Sequence, residues 1–323
     1  MNRYKLNHLT AFDYDGPVSE SYNEVRLRPL QDDLQSCLSF TINTFPHASL
    51  STHFDFFGNW VHEFNIIGEH RHLRIETESV VLVLAPPAPQ SDGISFDELP
   101  RLRDALEEDF YDLMAPTGYV PHLPDIQPII QAARAKSGGS ALGFVESATE
   151  LIHNRFRYEK GATHVASSIL DALGQNAGVC QDFAHLLLAA ARMAGLPARY
   201  VSGYLVPRRT AEPGASIEEV IGGQASHAWA EVYIPELGWI PQDPTLGQPV
   251  GLRHVRIAYG RDYGDVAPVR GVYKGHSGQR LSVDVRVRPA LDDEGCERLM
   301  ETAAGPLQPP PETAPPQQQQ QQQ

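Results

Sequence analysis

Three residue types in this chain could work together on an acyl carbon. Cys180 stands in Gly178-Val179-Cys180-Gln181-Asp182-Phe183-Ala184-His185. His227 stands in Ala225-Ser226-His227-Ala228-Trp229-Ala230-Glu231-Val232-Tyr233, and Asp243 in Trp239-Ile240-Pro241-Gln242-Asp243-Pro244-Thr245. A thiol nucleophile needs a base within hydrogen-bond reach, and the base needs an acceptor that orients it. The segments offer those parts in the order Cys, His, Asp. With 13 histidines in the chain, such a set could also be assembled by accident. The elements that carry the residues must therefore decide.

From Cys180 to Ala194 the residues are helix formers, apolar on nearly every side: Phe183, Ala184, Leu186, Leu187, Leu188, Ala189, Ala190, Ala191 and Met193. Such a helix belongs in a core. Gly195 and Pro197 end it. Cys180 is thereby placed at a helix N-terminus, where free amides and the helix dipole favour negative charge and hence a thiolate. A buried structural cysteine is the alternative at this stage. His227 lies in an alternating strand and shares a face with Trp229, Glu231 and Tyr233. Asp243 ends its partner strand. A three-residue loop over Pro235, Glu236 and Leu237 sets Asp243 opposite Trp229, on the face of His227. A four-residue loop would put it on the other face. The expectation is an odd-length loop or a compensating bulge.

The rest of the chain bounds the setting. Its 323 residues leave room for two domains. A hydrophobic fraction of 41% with 20% charged residues is globular. The net charge of -14 and the lack of any Lys/Arg cluster exclude a nucleic-acid footprint. No apolar run is long enough for a membrane span, and Met1 to Leu6 lacks an apolar signal core. Cys37, Cys180 and Cys296 are far apart and form no CxxC, which argues against a disulfide framework or a redox pair. A reducing cytoplasm is expected, and it would keep Cys180 available.

Residues 1–90 read as an antiparallel β domain. Leu38 to Asn43, Thr52 to Phe56, Val61 to Ile66 and Leu73 to Leu84 alternate with period two. Pro86-Pro87-Ala88-Pro89 closes it as a stiff linker. Residues 91–290 change to helices (Leu99 to Met114, Asp125 to Ala135, Ala141 to Arg157, Ser168 to Leu173), then the cysteine helix, then strands at Arg199 to Val206, Ser226 to Ile234, Trp239 to Asp243, His254 to Tyr259, Val269 to Lys274 and Gln279 to Arg288. Residues 291–323 form a C-terminal extension whose Pro/Gln-rich tail cannot bury a core. The segment 207–224, rich in Pro and Gly, reads as a surface loop and a candidate substrate gate.

GVCQDFAHLLLAAARMAGLPARYVSGYL followed by ASHAWAEVYIPELGWIPQDPT resembles the core of the transglutaminase-like superfamily, and more narrowly its bacterial transglutaminase-like cysteine peptidase group. SESYNEVRLRP resembles that group's N-terminal β domain, and RIAYGRDYGDVAPVRGVYKG its C-terminal strands. The resemblance implies an α+β fold: an N-terminal antiparallel β domain, then a papain-like core with helices packed on an antiparallel sheet. It places the nucleophile at Cys180, the base at His227 and the orienting carboxylate at Asp243. It implies a thiol-dependent amide-bond hydrolase (peptidase, isopeptidase or amidase) acting through a thioester on a peptide or protein amide. The alternatives are a protein-glutamine acyltransferase and a non-catalytic scaffold.

The oxyanion would be held by the Cys180 backbone N–H and a second donor that the sequence leaves unnamed. Trp229, Tyr204 and Asp182 are lesser candidates for contacting substrate, with core packing or helix capping as the competing role. If Asp182 faced the sulfur it would oppose a thiolate, so it is expected to point away. His185 is expected to pack or join a polar network. Cys37 is expected in the β-domain core, and Cys296 near the exposed C-terminus. The reaction calls for no cofactor. His70 and His72, two residues apart, lack a carboxylate or thiol beside them and are not taken as a metal site.

Overall fold

The computed structural model describes residues 1–207, 226–275 and 278–290. Its architecture is α+β, with two antiparallel sheets and a helical layer. The proposed gate (beyond residue 207), Cys296 and the C-terminal tail lie outside the described residues.

The first sheet is built on two 24-residue strands, β1 (Asn2–Val25) and β4 (Trp60–Val83), paired antiparallel along almost their whole length. β2 (Gln35–Phe45) and β3 (Ser51–Phe54) pair with successive parts of β4. The sequence pattern suggests separate strands over Val61 to Ile66 and Leu73 to Leu84. They are one strand, with two register shifts against β1, between Asp13 and Val18 and between Val18 and Glu20. A bulge inserts residues and flips the alternation without ending the ladder. That is why a period-two reading breaks there.

The outer edge of β1 is covered by β12 (Val269–Lys274) and β13 (Gln279–Pro289), antiparallel to Val25–Glu20 and Tyr14–Tyr4 respectively. The first and the last described strands thus enter one sheet. Strands 269–289 follow the helical segment in sequence, yet they pair with the first sheet. Sequence proximity says nothing about which edge offers free backbone groups to a strand.

The second sheet has the order β10-β9-β8-β7-β11. Its strands are β7 (Ala198–Leu205), β8 (His227–Ile234), β9 (Gly238–Asp243), β10 (Gln248–Pro249) and β11 (His254–Gly260). Against it lie α1 (Leu99–Met114), α2 (Gln127–Lys136), α3 (Ala141–Arg155), α4 (Ile169–Gln175) and α5 (Cys180–Met193), with a short α6 (Tyr263–Val266) after β11. A two-stranded parallel ladder, β5 (Arg157–Tyr158) with β6 (Ala177–Gly178), leads into α5. No helix among the described residues is long and apolar enough to cross a membrane.

The core follows from α5. Leu186, Leu187 and Leu188 are consecutive, so they point to different sides, yet all are fully buried. This requires partners all round: α1, α2 and α3 on one side, β7 and β8 on the other. Each such leucine stabilises the fold by roughly 1.5–3 kcal/mol. Gly195 follows with φ +92, the left-handed conformation that ends the helix at low steric cost. The two sheets meet through Tyr4, Leu6, Val81, Val83 and Val285 packed on Tyr204, Val206, Val255 and Ile257.

Candidate active site

Cys180 is the first residue of α5 and is half-buried. Two local features place it there. The Asp182 carboxylate turns back to accept the Val179 N–H at 2.8 Å and the Thr163 hydroxyl at 2.5 Å. Gly178 makes room for that turn, since a Cβ there would sit 2.6 Å from Asp182 Oδ2. Asp182 is 1% exposed and caps the helix. It is not among the residues that line the cleft; its carboxylate is engaged by Val179 and Thr163.

His227 opens β8, and Asp243 closes β9. The hairpin pairs Ile234 with Gly238, Val232 with Ile240 and Ala230 with Gln242, which leaves a three-residue loop. The next pair in that register is Trp229 with Asp243, so the odd-length loop is realised and Asp243 falls on the face of His227. The two side chains meet, His227 Nε2 lying 2.7 Å from Asp243 Oδ2 with both fully buried. Nδ1 of His227 forms no hydrogen bond of good geometry, yet Cys180 is near enough to favour the protonated ring. Burial opposes that charge. Asp243 first, then Cys180, outweigh burial and push His227 up to about 10. Burial would raise the Asp243 carboxyl, but the His227 charge and the hydrogen bonds of both histidines hold it well below the usual carboxylate range.

Sequence reasoning missed His254. This first residue of β11 places Nε2 2.9 Å from the same Asp243 oxygen. Its Nδ1 accepts the Gly251 N–H at 3.2 Å, which puts the proton on Nε2, the donor to Asp243. Burial lowers its pKa, in keeping with a neutral ring. The other Asp243 oxygen accepts the Thr245 and Leu246 N–H groups at 2.9 and 3.1 Å. The only sequence signal was a histidine at a strand start, one of 13 in the chain.

The ligand-capable atoms of His227, Asp243 and His254 lie within 4.8 Å of one another. They are the one set among the described residues with the spacing to share an ion. Both imidazoles, however, already direct Nε2 to the carboxylate. His70 is buried while His72 is exposed and bonded to Asp13 at 2.6 Å, so the two histidines do not share an environment.

Trp229 and Tyr204 do not line the cleft. Trp229 is fully buried, its ring 5.2 Å from that of His254 and 6.0 Å from that of His227. Gly203, opposite His227, leaves space for it: a Cβ there would meet the indole at 2.5 Å. Tyr204 is locked between the sheets, its hydroxyl 2.6 Å from His8 Nδ1. The neighbours of the thiol are instead Tyr158 and Tyr200, whose hydroxyls would be disfavoured as phenolates first by burial and then by the cysteine's charge. His185 packs between Tyr119 and Tyr200 and accepts the Tyr263 N–H at 3.2 Å. Cys37 is half-buried at a bulge of β2 rather than within the core.

Cys180 and His227 open into one cavity of about 630 Å³. Its floor is one face of the second sheet, with Tyr200, Ser202 and Ala228. One wall is the start of α5. The opposite wall is the first sheet, with Thr10, Phe12, Tyr14, Leu281 and Val283.

Comparison with known proteins bears on this arrangement. Residues 131–244 match the transglutaminase-like superfamily, and residues 4–82 match the bacterial transglutaminase-like N-terminal region. An uncharacterised protein of Mycobacterium leprae is 33% identical over 287 residues, covering 89% of this chain and 99% of its own. One of Mycobacterium tuberculosis is 33% identical over 308 residues, covering 90% and 94%. A solved structure of a candidate cysteine protease from Cytophaga hutchinsonii superposes with a TM-score of 0.71 at 21% identity, over 90% of this chain and 92% of that one. At that identity it speaks for the fold, a papain-like core behind an N-terminal sheet. With both segments matched and relatives aligned over nearly their full length, the chain belongs to the bacterial transglutaminase-like family.

Proposed function

We propose that the protein is a thiol-dependent amide-bond hydrolase with Cys180 as nucleophile, His227 as base and Asp243 as orienting carboxylate. The observation that carries this is His227 itself. Its Nε2 is held by Asp243 at 2.7 Å, its buried Nδ1 has no hydrogen bond of good geometry, and His227 and Cys180 line the same cavity. One nitrogen is fixed and the other is left to exchange a proton.

In the proposed reaction the thiol proton passes to His227 Nδ1, and the thiolate adds to the carbonyl carbon of a peptide or protein amide. The carbonyl electrons move to oxygen. The Cys180 N–H, one of the first-turn amides without an intrahelical acceptor, donates to that oxyanion. Protonated His227 gives its proton to the leaving nitrogen, the C–N bond breaks, and a thioester remains. Water, deprotonated by His227, then adds to the thioester and releases the acid and the thiol. Asp243 keeps the ring oriented, and His254 holds Asp243 by a second donor. We place the reaction in a reducing cytoplasm, where a free Cys180 persists.

The test is incubation with a library of glutamine-containing peptides and a labelled primary amine, for the wild type and Cys180→Ala. Acid plus ammonia, or peptide fragments, formed only by the wild type are the expected products. Labelled amide as the main product would replace hydrolysis by acyl transfer. Equal turnover by both proteins would remove Cys180 from the mechanism.

A further inference from the structure

The cavity that holds Cys180 has a wall the catalytic core does not make. In the first sheet Tyr14 pairs with Gln279, Phe12 with Leu281, Thr10 with Val283 and His8 with Val285. Antiparallel partners share a face, so these residues form one continuous surface with Leu6 and Val287. At one end, Leu6 and Val285 are buried against Tyr204 and Val255 of the second sheet. At the other end the sheets part. There Phe12, Leu281 and Val283 line the cavity of Cys180 and His227. Leu281 is 55% exposed and Val283 41%, although both belong to the face that is buried further along.

The cavity, about 630 Å³, is within the usual range for pockets that enclose a drug-sized ligand. Among the described residues that line it there is no aspartate or glutamate, while Lys160 and Arg270 are present. That lining repels a basic side chain and offers an aliphatic-aromatic strip to an apolar one.

We propose that the first sheet is the specificity wall of the enzyme, and that Phe12, Leu281 and Val283 form a subsite for an apolar or aromatic residue flanking the scissile amide of a polypeptide substrate. This rests on the reading of Cys180 as the nucleophile. The lining points to the occupant: Phe12, Leu281 and Val283 give an apolar strip to the same cavity that holds Cys180 and His227. The fold thereby divides the work. The core supplies the reacting groups, and the first and last described strands, paired as β1 and β13, supply recognition.

Alkylation of Cys180 separates the two claims. Its rate with iodoacetamide, compared with Cys37, reports on the nucleophile. The ratio of the rates with N-benzyl iodoacetamide and iodoacetamide, normalised to glutathione, reports on the wall whatever the absolute reactivity. The wild-type ratio should exceed that of glutathione roughly tenfold or more, the discrimination an apolar pocket commonly gives. The double variant Leu281→Thr, Val283→Thr keeps good strand formers at exposed positions. It should lose most of the preference, with the iodoacetamide rate within about twofold of wild type, which also reports an intact fold. A wild-type ratio equal to that of glutathione, or a preference that survives in the double variant, overturns the subsite.

Discussion

Replacing Asp243 with asparagine tests the arrangement at its most buried point. The carboxylate takes four hydrogen bonds: His227 at 2.7 Å, His254 at 2.9 Å, Thr245 at 2.9 Å and Leu246 at 3.1 Å. The asparagine oxygen can keep the two backbone donors. Its NH2 then faces both imidazoles, where the wild type presents an acceptor. His254 cannot adapt, because Nδ1 already accepts from Gly251, so donor meets donor. His227 can adapt only by moving its proton to Nδ1, the nitrogen that must receive the thiol proton. The same tautomer trap costs serine hydrolases about 10⁴ in kcat, and a loss of that order is expected.

The stability change carries a pH signature. His227 is raised in the fold to about 10, so its contribution is complete below about 6.5 and is lost as pH rises through 10. Asp243 is depressed, so its contribution is present above about 3.9 and is lost only as pH falls towards its folded value. Both operate at pH 5, and the first has faded by pH 9. Urea unfolding of wild type and Asp243→Asn should therefore differ by about 3–5 kcal/mol at pH 5, the usual cost of breaking a buried pair, and by clearly less at pH 9. Iodoacetamide labelling of Cys180 at pH 6 should slow at least tenfold in the variant. Equal stability penalties at the two pH values, or unchanged labelling, would refute the coupled buried pair.

Three further outcomes are expected. His254→Leu removes one donor to Asp243 and orphans the Gly251 N–H, so labelling at pH 6 should fall several-fold, whereas His254→Gln, still a donor, should retain more of the rate. Gly203→Ala forces a Cβ to 2.2 Å from the Val255 carbonyl and 2.5 Å from Trp229. It should destabilise by about 1–3 kcal/mol in urea unfolding and slow labelling by shifting the indole beneath His227. Asp182→Ala removes the carboxylate that closes the first turn of α5 and should cost about 1–2 kcal/mol, read as a lowered urea midpoint with the slope unchanged.

Cys180 at a helix N-terminus and Asp243 in register with His227 were legible in the sequence because both rest on local periodicity. A stripe apolar on every side reads as a core helix, and a hairpin's loop length sets the faces of its strands. The long strand Asn2–Val25 was less legible, since its bulge breaks the alternation that announces a strand. The roles of Trp229 and Tyr204 depended on where the sheets touch and where they part. An aromatic on an alternating strand reads the same whether it faces a cleft or a neighbouring sheet. His254 was hidden for a related reason: β7 and β8 separate its strand from that of Asp243 in the sheet, and only the folded sheet brings the two side chains to 2.9 Å. The sequence by itself determined the helix, the hairpin and the order of the reacting groups, because each is set by neighbours along the chain. Tertiary structure alone decided which second histidine holds the carboxylate and which sheet walls the cavity, because both depend on non-local edges and faces that no local pattern encodes.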